Sequence, residues 1–212
     1  MEIQLGLLDA ILDLLLVKPV FLLGIVWIAW MLMGIFRKDP GLPKARLTLC
    51  SLILYYYFCL VLTKIIGMPT LREFQRVSQL GESLFHPNLN LIPFRDGFSL
   101  SFLLNIFLFV PLGFLCPFLS RTFERPKNVF LLGLGVSLLI ELIQLFTLYR
   151  ATDIDDLITN VTGAVIGCLG FRVLGKLRIF PSNRRQNPEK HDGAAYLPAA
   201  ILAAAFILGF FS

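Results

Sequence analysis

Residues 141–167 read ELIQLFTLYRATDIDDLITNVTGAVIG, and this stretch carries polar side chains within otherwise apolar sequence. Between Asn128 and Tyr149 the only charged residue is Glu141. The segment is long enough to cross a bilayer, yet a carboxylate inside it costs about 2.5 to 3.5 kcal/mol on insertion scales. Because Gln144 lies three positions further on, both side chains share one helix face. We therefore expect Glu141 to have a polar partner or a function.

The turn after this helix and the helix that follows supply more polar groups. Asp153 is suited to cap the second helix with Asp156 at position N3, since acidic side chains favour the positive end of a helix dipole. Capping accounts for neither Glu141 nor Asn160. Asp156 and Asn160 stand four residues apart and share a helix face, so the pattern predicts one polar cluster between two adjacent helices.

The composition indicates an integral membrane protein. The chain is 57% hydrophobic and 16% charged, which excludes an ordinary soluble domain. The net charge of +5 comes from basic residues in short loops between apolar stretches, so no nucleic-acid partner is expected. All four cysteines lie in apolar segments without C-x-x-C spacing, and we interpret them as small buried side chains. No disulfide, metal site or cofactor is predicted.

Uncharged segments predict an all-α fold, a polytopic transmembrane helical bundle of about six spans. The spans are about 19–36, 47–63, 97–120, 128–149 with Glu141 excepted, 157–171 and 193–212. Residues 37–46, 121–127 and 172–190 hold 13 of the 19 Lys and Arg residues and should be cytoplasmic, which makes this a multi-pass protein of the cell membrane with both termini outside. The acidic start lacks the basic region of a secretory signal, so we expect it to remain as an anchor.

Three further features refine this picture. The segment TLREFQRVSQL, residues 70–80, has amphipathic helical spacing and is expected either on the outer membrane surface or packed on the bundle. Pro93 and Gly97 in LNLIPFRDG predict a shaped turn into the third span, where Asn105 is a polar group inside the membrane. Gly163 and Gly167 form a small-xxx-small face, which favours close contact with another helix.

These motifs together resemble the VanZ-like family of bacterial membrane proteins. The matching residues are Asn90, Pro93 and Phe94; Asn105, Phe109, Pro111, Leu112 and Gly113; and Glu141, Gln144, Arg150, Asp153, Asp155, Asp156, Asn160 and Gly163. The resemblance covers about residues 47–177. It divides the chain into an additional span with its loop at 1–46, a VanZ-like core at 47–178, and a linker with a C-terminal span at 179–212. It implies the bacterial cell envelope and an association with resistance to the glycopeptide teicoplanin, without an established biochemical activity.

Our leading functional hypothesis is a ligand pocket at the outer face. Its polar groups converge from one side of the membrane, which is more typical of a functional site than of chance. The candidate ligand-binding residues are Asn90, Pro93, Phe94, Asn105, Glu141, Gln144, Arg150, Asp153, Asp155, Asp156 and Asn160. The expected partners are membrane lipid and an amphiphilic ligand that is lipid-linked or a lipoglycopeptide. In the competing structural interpretation, these groups only bond one another and hold three helices together.

Two other classes of function are also compatible with the sequence. The first is an enzyme acting on envelope lipid intermediates, with Glu141 as general base, Asp153 or Asp155 next to a metal or phosphate, and Arg150 with Arg95 as the outer basic pair. The second is a small carrier in which Glu141 is the titrating group, although the chain is short and has no internal repeat. No catalytic residue is assigned.

Overall fold

A computed structural model of the chain describes residues 18–81, 85, 89–94, 97, 100–146, 152–177 and 192–212. Seven α-helices occur in these ranges: α1 Phe21–Lys38, α2 Lys44–Leu60, α3 Leu71–Gln79, α4 Leu100–Leu119, α5 Pro126–Gln144, α6 Ile154–Lys176 and α7 Leu197–Phe210. A π-helical turn, Val61–Ile66, continues α2, and a 3-10 turn, Arg121–Glu124, precedes α5. Two-residue strands β1 Leu89–Asn90 and β2 Thr152–Asp153 pair in parallel.

Five helical segments are long and apolar enough to cross a membrane, namely α1, α4, α5, α6 and the segment Lys44–Gln79, in which the π-helical turn continues α2. This confirms the predicted all-α membrane bundle. Large apolar side chains face outward along the helices, among them Trp30, Leu100 and Phe107. An exposed apolar surface of this extent is typical of contact with lipid.

The sixth predicted span is shorter than its apolar sequence suggests. Helix α7 has 14 residues, a length of about 21 Å, whereas the hydrocarbon core of a bilayer is about 30 Å thick. Residues 193–196 form a turn before it. Pro198 lies in the first turn of α7, where backbone N–H groups have no partner within the helix, so its missing N–H costs no helical hydrogen bond. The proline therefore favours a helix that begins at Leu197 and not at residue 193.

Helices α4 and α6 approach each other most closely, and glycines make this possible. A Cβ atom at Gly163 would lie 2.1 Å from the carbonyl oxygen of Ile106, and one at Gly167 would lie 2.1 Å from that of Val110. From the other side, a Cβ at Gly113 would meet a backbone oxygen of α6. The predicted close contact at Gly163 and Gly167 is therefore confirmed, and it sets the distance between the helices that carry the candidate site.

The amphipathic segment forms α3, and α3 packs on the bundle. Thr70 and Glu73 build a capping box at its start. The ring of Phe74 lies 6.1 Å from that of Phe146 and 5.6 Å from that of Phe210. Of the two expected positions, the structure thus has α3 as a connecting helix held by aromatic contacts to the ends of α5 and α7.

The helices that flank the predicted core are attached by specific polar contacts. Tyr55 of α2 donates a hydrogen bond of 2.8 Å to the backbone carbonyl of Phe21 at the start of α1. Before α7, the Asp192 carboxylate accepts hydrogen bonds from the Ser120 hydroxyl at 2.5 Å and from the amide and hydroxyl of Thr122, both at 3.0 Å. The start of α7 is thereby joined to the turn between α4 and α5.

The cysteines behave as their sequence context predicts. Cys59, Cys116 and Cys168 are buried, Cys50 is half-buried, and all four are free thiols. They fill space between helices as small apolar side chains.

Candidate functional site

Glu141 lies near the end of α5 and is only 5% exposed. Its Oε2 atom accepts a hydrogen bond of 3.0 Å from the backbone amide of Asp153, the N-cap residue of α6. Its backbone carbonyl accepts a second bond of 3.0 Å from the hydroxyl of Thr152. The capping pattern read from the sequence did not account for Glu141, and in the structure this carboxylate completes the N-terminus of α6 from the preceding helix. A negative group is stabilised there by the free N–H groups and the helix dipole.

Asp153 is the capping residue, as predicted, and it has partners on two further elements. Its Oδ1 accepts a bond of 2.9 Å from the amide of Asp155, and its Oδ2 accepts one of 3.1 Å from the side-chain amide of Asn90. The parallel pairing of β1 with β2 brings Asn90 beside Asp153. Asp153 thus connects the turn before α6 with the segment before α4.

Asp156 does not complete a capping box at N3. Its Oδ1 instead accepts a bond of 2.5 Å from the side-chain amide of Asn105 on α4. The close contact of α4 with α6 places this carboxamide within reach, and the amide of Asp153 is already taken by Glu141. Asn105 therefore bonds Asp156, and Glu141 bonds a backbone group.

The turn that contains Pro93 and Phe94 is held against the start of α6. Phe94 has a left-handed backbone with φ of 58°, which a bulky side chain rarely adopts. Its amide donates to both carboxylate oxygens of Asp155, at 2.9 and 3.0 Å. The ring of Phe94 is 47% exposed and lies 6.0 Å from that of Phe102. Asp155 thus stabilises a strained turn that presents an aromatic ring at the surface.

Asn160 is buried on α6, one helical turn after Asp156, and the sequence did not predict its hydrogen-bond partner. Its side-chain amide donates a bond of 3.0 Å to the hydroxyl of Ser137, which is fully buried on α5. Ser137 precedes Glu141 by four residues and shares its helix face, a spacing that could have identified it from sequence. Thr152 and Thr159 were also missed, and the Thr159 hydroxyl donates to the carbonyl of Asp155 at 2.7 Å.

These contacts define a polar cluster made of Asn90, Asn105, Ser137, Glu141, Asp153, Asp155, Asp156 and Asn160. Gln144 is buried one turn beyond Glu141 on the same helix. Arg150, predicted as part of the site, and Arg95, its expected basic companion, lie outside the described residues. Pro93 is exposed in its turn.

Hydrogen-bond acceptors are in excess in the polar cluster. Among the described residues, no donor reaches Oε1 of Glu141, Oδ1 of Asn160 or Oδ1 of Asn90, although each of these atoms is buried. A buried polar atom without a partner is unfavourable, so such atoms call for an explanation. The arrangement can accept hydrogen bonds from a donor-rich group.

The described part of the chain contains no group of three or more His, Cys, Asp or Glu side chains arranged to hold a metal ion. Two cavities lie away from the polar cluster. One of about 460 Å³ lies between α1 and the start of α2, and one of about 240 Å³ lies beside the π-helical turn.

Comparison with known proteins identifies the family. A relative, Protein VanZ from Enterococcus faecium, is 37% identical over 110 residues, which are 50% of this chain and 60% of that protein. The aligned part therefore covers less than two thirds of the relative. No solved structure matches the chain. The family model for VanZ/LLP1 matches residues 47–175, a stretch that includes the whole polar cluster and leaves out α1 and α7. Because this match covers well over half of the chain, the protein belongs to the VanZ/LLP1 family.

Proposed function

We propose that this protein binds an amphiphilic or lipid-linked ligand at the outer face of the cell membrane, and that this binding underlies tolerance of glycopeptides such as teicoplanin. The observation that carries the proposal is Oε1 of Glu141, a buried carboxylate oxygen for which no described residue provides a donor. Polar groups inside a membrane are unfavourable and mark functional positions more often than chance allows.

The chemistry of the polar cluster favours a ligand with hydrogen-bond donors. Besides Glu141, the buried side-chain oxygens of Asn90 and Asn160 lack a donor among the described residues. Hydroxyl, amide and ammonium groups provide donors, and sugars and peptides carry several of them. The headgroup of a lipid-linked sugar or peptide therefore complements these acceptors.

The neighbouring turn favours a ligand that also has an apolar part. Leu91, Ile92 and Phe94 are large apolar side chains, each of them is exposed, and the backbone amide of Phe94 bonds the carboxylate of Asp155. Exposed apolar groups beside convergent polar groups are typical of binding sites for amphiphiles. The acyl part of the ligand would contact this turn, and its polar part would reach the acceptors of the cluster.

The distribution of basic residues supports an outer location. The polar cluster lies at the end of α5 and the start of α6, whereas the residues around the start of α5 include Arg121, Arg125 and Lys127. Glu141 is 15 residues from the start of α5, about 22 Å along the helix axis. Because basic loops remain in the cytoplasm, the opposite end of α5 faces outward.

The deciding experiment replaces Glu141 by Gln, which keeps the shape and one acceptor but removes the charge. Glu124→Gln is the matched control, since Glu124 is also buried and lies at the other end of α5. Membrane abundance, teicoplanin susceptibility and lipid bound to the purified protein, by native mass spectrometry, are measured for wild type and both variants. We expect Glu141→Gln to be as abundant as wild type, to lose tolerance and to lose the bound lipid.

An abundant Glu141→Gln variant that protects and binds as wild type does would overturn the proposal and leave the polar cluster a structural element. If Glu124→Gln also loses tolerance and bound lipid, the effect is not specific to Glu141, because removing any buried carboxylate would then abolish both properties. If wild type confers no tolerance, the antibiotic part of the proposal is refuted and the binding measurement alone decides the rest.

A further inference from the structure

A cavity away from the polar cluster lies between α1 and the start of α2. Residues of one α1 face line this cavity of about 460 Å³, at spacings of three and four residues: Ala29, Leu32, Met33 and Phe36. Thr48 of α2 lies on the facing wall. The four α1 positions extend over about 10 Å, which accommodates part of an acyl chain. We call this cavity the α1–α2 groove.

Two cations lie at the end of the α1–α2 groove, where α1 stops and α2 begins. Arg37 and Lys44 line it, and both are exposed. Within the described part of the chain, neither forms a hydrogen bond or an ion pair. The loop between them contains one carboxylate, Asp39, which accepts a bond of 3.3 Å from the amide of Gly41. Residues 37–46 contain four basic residues and one acidic residue, so the end of the groove is electropositive.

The hydroxyl of Thr48 is a second, independent indication of a ligand in the groove, because it lacks a hydrogen-bond partner among the described residues. Threonines inside membrane helices usually donate to the carbonyl four residues earlier, and Thr63, Thr159 and Thr162 do so here at 2.7 Å. The Thr48 hydroxyl has no such bond, nor any other, among the described residues. It lies one helical turn beyond Lys44 and lines the same groove. A hydroxyl and two cations at one location are complementary to a phosphate.

We propose that the α1–α2 groove binds one anionic phospholipid, with its phosphate at Arg37, Lys44 and Thr48 and one acyl chain along the α1 face. The headgroup determines the selectivity, because the apolar groove is no better a solvent for an acyl chain than the bilayer itself. Anionic lipids are favoured by the charges, and basic pockets between membrane helices are suited to their headgroups. The site uses α1, which lies outside the family match at 47–175, and does not depend on the polar cluster.

Native mass spectrometry of the full chain with equal amounts of phosphatidylglycerol and phosphatidylcholine tests the proposal. We expect one phosphatidylglycerol retained per wild-type chain in preference to phosphatidylcholine. Each cation should contribute about fivefold to this preference, so Arg37→Gln with Lys44→Gln should reduce it about twenty-five-fold. The matched control is Arg125→Gln with Lys127→Gln, which removes two exposed charges from the same membrane side, away from the groove.

A third variant distinguishes the contribution of the groove volume from that of the two cations. Ala29→Trp fills the groove and leaves both cations in place, and Ala29 is exposed, so folding should be retained. The proposal requires that this variant lose the bound lipid too. Equal losses in the control pair would refute it, because the effect would then come from diffuse surface charge. Equal retention of the two lipids by wild type, or full binding in Ala29→Trp, would also refute it.

Discussion

The carboxylate of Glu141 accepts a hydrogen bond from the backbone amide of Asp153 at 3.0 Å, so a side chain of α5 completes the N-terminus of α6. One oxygen of Glu141 is therefore structural, while the other has no donor among the described residues. The two roles can be separated by substitution. Removing the charge tests binding, and removing the whole side chain tests the joint between the helices.

Glu141→Ala should destabilise the protein more than Glu141→Gln. Alanine leaves the amide of Asp153 without its acceptor, at a cost of about 1 to 3 kcal/mol, whereas the glutamine carbonyl still accepts that bond. Thermal unfolding of the detergent-solubilised protein measures the difference. Equal melting temperatures for the two variants would show that the bond contributes nothing to stability.

Gly163→Ala should lower the melting temperature and the solubilised yield. The added Cβ would lie 2.1 Å from the backbone oxygen of Ile106, and a backbone atom cannot move aside without separating α4 from α6. Gly170→Ala on the same helix is the control, since a Cβ there has no neighbour within 4 Å. Equal stability of both variants would contradict the observed contact.

Phe94→Gly should be more stable than Phe94→Ala by about 1 kcal/mol. Both remove the ring, but alanine keeps the strain of a left-handed backbone and glycine relieves it. Both variants should lose any ligand contact made by the ring. A comparison of unfolding midpoints with bound lipid distinguishes the strain from the contact, and an alanine variant at least as stable as the glycine variant would contradict the assigned backbone.

Asp192→Ala should weaken the attachment of α7 to the turn before α5 and so lower the melting temperature. It removes the acceptor for the Ser120 hydroxyl and for both donors of Thr122. Asp192→Asn keeps one acceptor oxygen and should fall between alanine and wild type in melting temperature. If asparagine and alanine behave alike, charge and not hydrogen bonding holds this joint.

The topology can be tested with an impermeant thiol reagent on intact cells. If the predicted orientation holds, cysteine at Lys127, at the start of α5, should stay unlabelled, and cysteine at Leu80, just after α3, should react. Both positions are exposed. Labelling in the reverse pattern would invert the orientation and move the polar cluster to the cytoplasmic face.

The sequence by itself determined the class of fold and the residues worth attention. Apolar length predicted the helices that can cross a membrane, because each must satisfy its backbone bonds internally and bury apolar side chains in lipid. Glu141, Asn105 and Asn160 could be identified because hydrocarbon penalises polar groups wherever they occur. The contact at Gly163 could be predicted because small residues at helical spacing allow backbones to approach.

Only the tertiary structure determined which polar groups form hydrogen bonds with one another. Asn105 could have bonded Glu141, yet it bonds Asp156, because the separation of α4 and α6 is set by backbone contacts at glycines such as Gly163 and not by the polar side chains. The partner of Glu141 is a backbone amide, and every residue except proline carries one, so no sequence pattern distinguishes it. The pairing of Asn90 with Asp153 joins residues 63 positions apart, and it depends on where α4, α5 and α6 end in space.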